Sequence, residues 1–370
     1  MTVSVKTGDE AIAWISSQQF MAGWQCLLDD CSWSTACQHP DFILPWYQIY
    51  AERCIPVVLA DQSDDLVTGF LPLALINNGK MLVGAGMVEA EYQCWIERAD
   101  NDNRFITQAI EAIRRAFPSA ILHLRYINDG APLEWIKSSR SGCFYRLQSH
   151  HRPLMKLSAS DIAVRLNSKK NRGKINKLKR SGELSFERIK DHQEFMNSFG
   201  EICEKYDSRQ KEKNFVSPFK DDQLKGKFYI ELHKRGILHT TILNVGKQMA
   251  AFHAGLISRD WLHLGINGQS SYFGEQSPGK IQLLMLGAFL HQENFSTLDL
   301  TPGGDEYKEQ FATQHDTVFE LLMFPSFFSF MTNQIKFSGR NFAKSLFKSM
   351  NIRPTLVRRV VARLNRASQN

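Results

Sequence analysis

The sequence predicts an α/β (α+β) protein: two domains, each a mixed, largely antiparallel sheet flanked by helices, followed by a basic amphipathic tail. Three observations lead there. The 370 residues exceed one ordinary domain of roughly 100–150 residues and suggest two with a remainder. Apolar residues make up 43% and charged residues 22%, which is the balance of a chain with a buried core and excludes disordered and collagen-like classes. Runs of period two alternate with runs of helical period, and none approaches the ~18 uninterrupted apolar residues of a membrane span. The expected boundaries are 1–150, 151–325 and 326–370.

In the first 150 residues, PVVLAD and LVTGFLPLALI read as strands around the turn-like QSDD, and MLVGAG follows as a third. RFITQAIEAIRRAF carries Phe105, Ile106, Ile110, Ile113 and Phe117 near helical spacing, and AILHLRYI is a strand after it. From Arg165 to Arg180 eight basic residues occur without an acid, which fits either a solvated helix or a surface that attracts an anion. A helix through Phe195, Phe199, Ile202 and Tyr206 leads to GILHTTILNV, KQMAAFHAGLIS and DWLHLGINGQSS, three strands of an antiparallel meander. Pro278 after Ser277 announces a helix, with Ser277 as its N-cap and Ile281, Leu284, Met285, Ala288 and Phe289 on its apolar side. The strand STLDL, the turn TPGGD, the short helix EYKEQF and the closing strand TVFELLMF complete the body.

Charge and motifs narrow the chemistry. Lys plus Arg is 45 against 38 Asp plus Glu, yet residues 321–370 hold nine basic residues and no acid, so the rest of the chain is slightly acidic. A nucleic-acid binder usually spreads basic surface over its folded body, so that class loses weight. Seven cysteines, odd in number and without a CxxC pair, predict neither a disulfide framework nor a structural zinc. No GxSxG, P-loop or HExxH is present, and His150 and His151 lack partners at metal spacing, so no metal is expected. The first twenty residues have no apolar leader core, which predicts a cytoplasmic protein.

NGQSSYFGEQSPGKIQLL places a loop with glycine before a helix N-terminus, where unpaired N–H groups and the helix dipole favour phosphate. With Ser277-Pro278-Gly279-Lys280 at the helix start, Asp299 in the next strand and Gly304-Asp305-Glu306-Tyr307-Lys308 after it, residues 238–324 resemble the acetyl-CoA half of a GNAT N-acyltransferase. The likeness is to the CelD-like branch of cellulose and exopolysaccharide biosynthesis. NRGKINKLKRSGELSFERI is similar to the basic helix and strand that open this domain, and FILPWYQIYAERCIPVVLAD with GFLPLALI resembles the degenerate N-terminal half of such tandem proteins. The resemblance covers about residues 20–325. It implies tandem GNAT-like domains, acetyl-CoA or another acyl-CoA as co-substrate, and a cofactor site at Gln276, Ser277, Gly279 and Lys280. Ile281 stands where the usual glycine-rich loop ends in a third small residue.

Acyl transfer to an amine needs a base for the ammonium, a donor for the thioester carbonyl and an acid for the thiolate. Tyr307 stands where many GNAT enzymes keep the acid. His253 and His263, on neighbouring strands, and Asp305 are candidates for the base, each weighed against a packing or turn-stabilising role. A strand amide between His263 and Asn267 is the candidate carbonyl donor. Asp299 is expected to be buried and paired, with Lys308 or a strand neighbour as partner.

In the tail, Leu356, Val357, Val360, Val361 and Leu364 form an apolar stripe beside Arg358, Arg359, Arg363 and Arg366. Residues 333–370 therefore suit an anionic membrane surface, or a docking face on the protein, which adds peripheral attachment at the inner face of the membrane. The leading function is acyl-CoA-dependent N-acylation of an amino group on a sugar or envelope-polysaccharide precursor, with a small-molecule or glycan amine as acceptor. The alternatives are Fem-like transfer from aminoacyl-tRNA, the one reading that involves nucleic acid, and a catalytically silent scaffold of a polysaccharide synthase.

Overall fold

The computed structural model describes residues 3–63, 66–138, 144–335 and 337. The first half runs β1 (Ser4–Thr7), α1 (Gly8–Ile15), α2 (Gln18–Asp30), α3 (Pro40–Ile49), β2 (Ile55–Ser63), β3 (Leu66–Ile76), β4 (Met81–Gly84), β5 (Ile96–Glu97), α4 (Arg104–Ala116), β6 (Ile121–Ile127), α5 (Glu134–Ser138) and β7 (Phe144–Lys156). The second runs α6 (Ala159–Asn167), α7 (Lys169–Ser181), β8 (Leu184–Ile189), α8 (His192–Asn214), α9 (Pro218–Asp221), α10 (Gln223–Lys234), β9 (Leu238–Val245), β10 (Gln248–Ser258), β11 (Trp261–His263), β12 (Ile266–Gln269), α11 (Pro278–Gln292), β13 (Thr297–Asp299), α12 (Glu306–Glu309) and β14 (Gln314–Phe324). The tail stripe from Leu356 to Leu364 lies outside the described residues.

The strands form one mixed, mostly antiparallel sheet in the order β1-β2-β3-β4-β6-β14-β7-β13-β11-β10-β9-β8, with β5 on β3 and β12 on β10. The halves interlock, because β14 from the end of the second pairs antiparallel with both β6 and β7 of the first. Two parallel contacts, β4 with β6 and β11 with β13, are each bridged by a helix, α4 in one half and α11 in the other.

Pattern explains the helices that matter. α4 buries Phe105, Ile106, Ala109, Ile110, Ala112 and Ile113 along one side, the stripe expected of a helix laid on a sheet. α11 is apolar nearly all round and is buried to match. It packs closely on α6 at Gly287, where a Cβ would lie 2.8 Å from Met155 and 3.4 Å from Ile162.

The run DWLHLGINGQSS, expected as one strand, is two. Gly265 adopts φ +52°, a left-handed conformation that breaks the pleat between β11 and β12. β11 stays paired with β13 as far as His263, and beyond the break β12 pairs only with β10. The sheet splays there.

Candidate functional site

A cleft of about 260 Å³ opens at this splay. β12 supplies Asn267, Gly268 and Gln269, the N-terminus of α11 supplies Ser277, Gly279 and Lys280, and Tyr307, Gln310 and Phe311 face them from α12 and the turn after it. Gly279 N–H donates to Gln269 Oε1 at 3.0 Å, so the strand side chain anchors the helix start. Ser277 holds the N-cap position with φ +50° but does not cap. Its hydroxyl accepts from Lys174 Nζ at 2.7 Å. The expected serine cap is corrected accordingly, and the reason is non-local: α7 lies across the helix start. Burial, with repulsion from Lys280 and Lys170, holds the Lys174 pKa below that of an ordinary lysine. Lys174, Lys280 and the positive end of a helix therefore converge on one corner of the cleft, with Lys170 adding its charge from nearby.

Other expected residues fall as follows. His253 lines the cleft, is 1% exposed, and neither ring nitrogen has a hydrogen-bond partner among the described residues. Burial holds its pKa down at about 4. Tyr307 lines the cleft with Arg209 and Lys213 over its ring, at 5.5 and 5.9 Å from the centroid. Asp305 does not line it and instead pairs with Lys213 Nζ at 2.5 Å. Gln276 also stays outside, with its Oε1 buried and unpartnered. The Leu264 N–H, within the stretch expected to supply a carbonyl donor, is already given to Asp299 O at 2.9 Å.

His263 lies on the other side of the splayed strands, in a buried network. It sits opposite Asp299 in the β11–β13 register, and its Nδ1 is 2.9 Å from Asp299 Oδ2. The same oxygen accepts from the Tyr92 hydroxyl at 2.5 Å and meets Arg152 Nη1 at 3.5 Å, while Oδ1 accepts from Thr301 N–H at 2.7 Å. Burial pushes the Asp299 carboxyl up, but the bond from His263, the charges of Arg152 and His263, and the bond from Tyr92 outweigh it and hold the pKa below the usual range. Asp299 is thus paired with a strand neighbour. Lys308 closes the preceding turn instead, donating to Thr301 O, Thr301 Oγ1 and Pro302 O at 2.9–3.1 Å. His263 Nε2 is buried without a partner among the described residues. A neutral imidazole that donates through Nδ1 to a carboxylate presents Nε2 as an acceptor, which is the arrangement of a general base.

Tyr92, Arg152, Lys174 and Gln269 were not singled out from sequence as site residues. Only Lys174 carried a signal, as part of the basic run. Tyr92 meets Asp299 across 207 residues of chain, and no local pattern marks such a contact. Among the described residues there is no cluster of three His, Cys, Asp or Glu arranged to hold a metal ion, and no helix long and apolar enough to cross a membrane.

A sheet splayed beside a helix N-terminus, in a chain that carries the strand–helix–parallel strand unit twice, defines a GNAT-type acyltransferase fold. Residues 167–309 match the family model described as an acetyltransferase (GNAT) domain, a stretch that runs from α7 to α12 and holds the whole cleft corner. No curated protein sequence matches the chain at a significant level. The crystal structure of FemX is similar with a TM-score of 0.55 at 8% identity, covering 82% of this chain and 95% of that one. The structure of L-PGS from Bacillus licheniformis is similar with a TM-score of 0.51 at 12% identity, covering 85% of this chain and 94% of that one. At such identities the likeness is one of fold, and it extends through both halves.

Proposed function

We propose that the protein is an acyl-CoA-dependent N-acyltransferase of the CelD-like branch, acting on an amino group of a sugar or cell-envelope polysaccharide precursor. In this reading residues 1–150 form a degenerate domain and 151–325 the acyltransferase domain. The observation that carries it is the cleft corner where the α11 N-terminus meets Lys280 and Lys174, with Lys170 near enough to repel Lys174. Their mutual repulsion would be relieved by a pyrophosphate, and Ser277, Gly279 and Lys280 would hold it there. Acetyl-CoA supplies the activated carbonyl.

Roles follow from placement. His263, oriented by Asp299, takes the proton of the acceptor ammonium. His253 is a weak candidate, since a group held at about 4 has little affinity for a proton at neutral pH. Tyr307, on the cleft wall, protonates the leaving thiolate, with Arg209 and Lys213 beside it. Asp305 acts on Lys213 and not on substrate.

A second reading rests on α7, which leaves Lys169, Arg172, Lys177, Lys179 and Arg180 exposed, a surface on which an aminoacyl-tRNA donor could lie. Calorimetry separates the two. Acetyl-CoA is expected to bind the wild type, and the Lys174→Ala/Lys280→Ala pair to weaken it about tenfold or more, the scale of lost charge-assisted contacts. Absence of acetyl-CoA binding beside salt-dependent tRNA binding would favour the second reading, and absence of both would leave the silent scaffold.

A further inference from the structure

A second space, of about 110 Å³, lies between the two halves, on the far side of β10 and the β11–β12 joint from the cleft. The strands alternate between the two: His253 and Leu264 face the cleft, while Ala254, His263 and Gly265 face this cavity. The segment after β4 brings Glu89 and Glu91 to it from the N-terminal half. Glu89 is neutralised by Lys225 Nζ at 2.5 Å, with both side chains nearly buried. Glu91, whose side chain is 31% exposed, has Arg125 as its one ion-pair partner among the described residues, at 3.8 Å, too long for a hydrogen bond. Burial raises its carboxyl pKa above the usual range against the pull of Arg125, Lys308 and His263, with Asp299 adding to the rise. His263, 4% exposed, also lines this cavity, and its Nε2 is buried with no hydrogen-bond partner among the described residues. A carboxylate short of a cation and a buried nitrogen short of a donor are together the complement of an ammonium group, which offers a positive charge and three N–H donors.

From this geometry we propose that the cavity between the halves is the acceptor site, that it takes a primary amine in its ammonium form, and that Glu91 of the N-terminal half holds that ammonium beside His263 Nε2. The proposal rests on the acyltransfer reading above. The ammonium gives one proton to His263 Nε2, and the freed lone pair forms the C–N bond to the thioester carbonyl carbon. The C–S bond then breaks, Tyr307 gives its proton to sulfur to form the thiol and is restored by the second nitrogen proton, and His263 returns its proton to solvent. Amide, thiol and one released proton balance the ammonium and thioester consumed.

The test needs no acyl donor. Saturation-transfer NMR on the full chain would use D-glucosamine, cadaverine and L-lysine as probes, each against its N-acetylated form. Ammonium probes are expected to bind, with Glu91→Gln weakening them about tenfold or more, the scale of a lost charge-assisted contact. Glu91→Asp, which keeps the charge, is expected to recover part of that affinity, and this separates loss of the carboxylate from damage to the fold. Undiminished binding in Glu91→Gln, or no binding of any of the three probes to the wild type, overturns the proposal. Acetyl-CoA calorimetry on the same samples reads the donor site independently: its failure with amine binding intact would sink the donor reading and leave the acceptor site standing.

Discussion

In the N-terminal half, β4 leads through α4 to the parallel strand β6, as β11 and β12 lead through α11 to β13 in the C-terminal half. Both helices start after a left-handed residue without a side-chain cap, Asn103 at φ +61° and Ser277 at φ +50°. The spaces beside them differ. After Gly84 the chain folds back, and Gln93 binds β6 twice, its N–H to Arg125 O at 2.9 Å and its Oε1 from Arg125 N–H at 3.2 Å. Phe105 in the first turn of α4 packs on Gly69, where a Cβ would lie 2.1 Å from the ring. At the corresponding place α11 carries Gly279 and Lys280 and leaves the cleft. In the N-terminal half the space is filled by the chain itself, and the filling segment brings Glu91 to the cavity that His263 lines and Tyr92 to Asp299. The segment that closes one space thus contributes to the walls of another.

The largest expected effect tests the half that keeps its cleft. His263→Ala is expected to lower amine-dependent thiol release from acetyl-CoA about 10²–10⁴-fold, the usual worth of a general base, while acetyl-CoA binding stays near wild type. Turnover within twofold of wild type would remove His263 from the mechanism. Next, Gln93→Ala tests the filled half. Losing its side-chain bonds, accepted from Arg125 N–H and donated to Met87 O, is expected to cost about 1–3 kcal/mol of unfolding free energy in denaturant titration without creating a second acetyl-CoA site. A variant that binds two acetyl-CoA molecules would show that the filling alone silences this half.

The smallest effect concerns acid. His239 and His253 are buried in β9 and β10 without hydrogen-bond partners among the described residues, and burial is the chief cause that holds their pKa values down at about 3 and about 4 respectively. A histidine depressed in the fold binds protons more readily when unfolded, so its stabilising contribution is complete above ~6.5 and is lost as pH falls through the window down to about 3–4. The N-terminal half has no histidine so deeply buried among its described residues. Hydrogen exchange is therefore expected to show β9 and β10 losing protection before β2 and β3 as pH falls from 6.5 to 5, with His239→Phe reducing the slope by about 1 kcal/mol per pH unit. Equal loss in both halves would contradict that assignment.

The sequence made the repeating parts of this comparison legible. Strand-like runs marked β9 and β10, although both are buried almost throughout and not on one face alone, and the helical stripe marked α4, because it reports burial against a sheet. The break at Gly265 was not legible, since a glycine inside an apolar run marks a bulge and a plain strand alike. Ser277 was read as a cap because local rules favour serine there, and only the packing of α7 reassigns its hydroxyl to Lys174. The pairing of His263 with Asp299 depended on the β11–β13 register, and that of Tyr92 on the path of a loop 207 residues away. Pattern reports which side of an element is buried; it does not report what waits across the sheet.

The central claim is that one half binds the acyl donor and the other does not. Titration calorimetry of acetyl-CoA into the full chain, beside a Gly279→Trp variant of unchanged melting temperature, tests it most directly. The Trp would displace Gln269, whose Oε1 already lies 2.7 Å from where a Cβ at position 279 would stand. One molecule bound per chain, lost in the variant, is the predicted result. No binding to the wild type, two molecules per chain, or full binding in Gly279→Trp would contradict it.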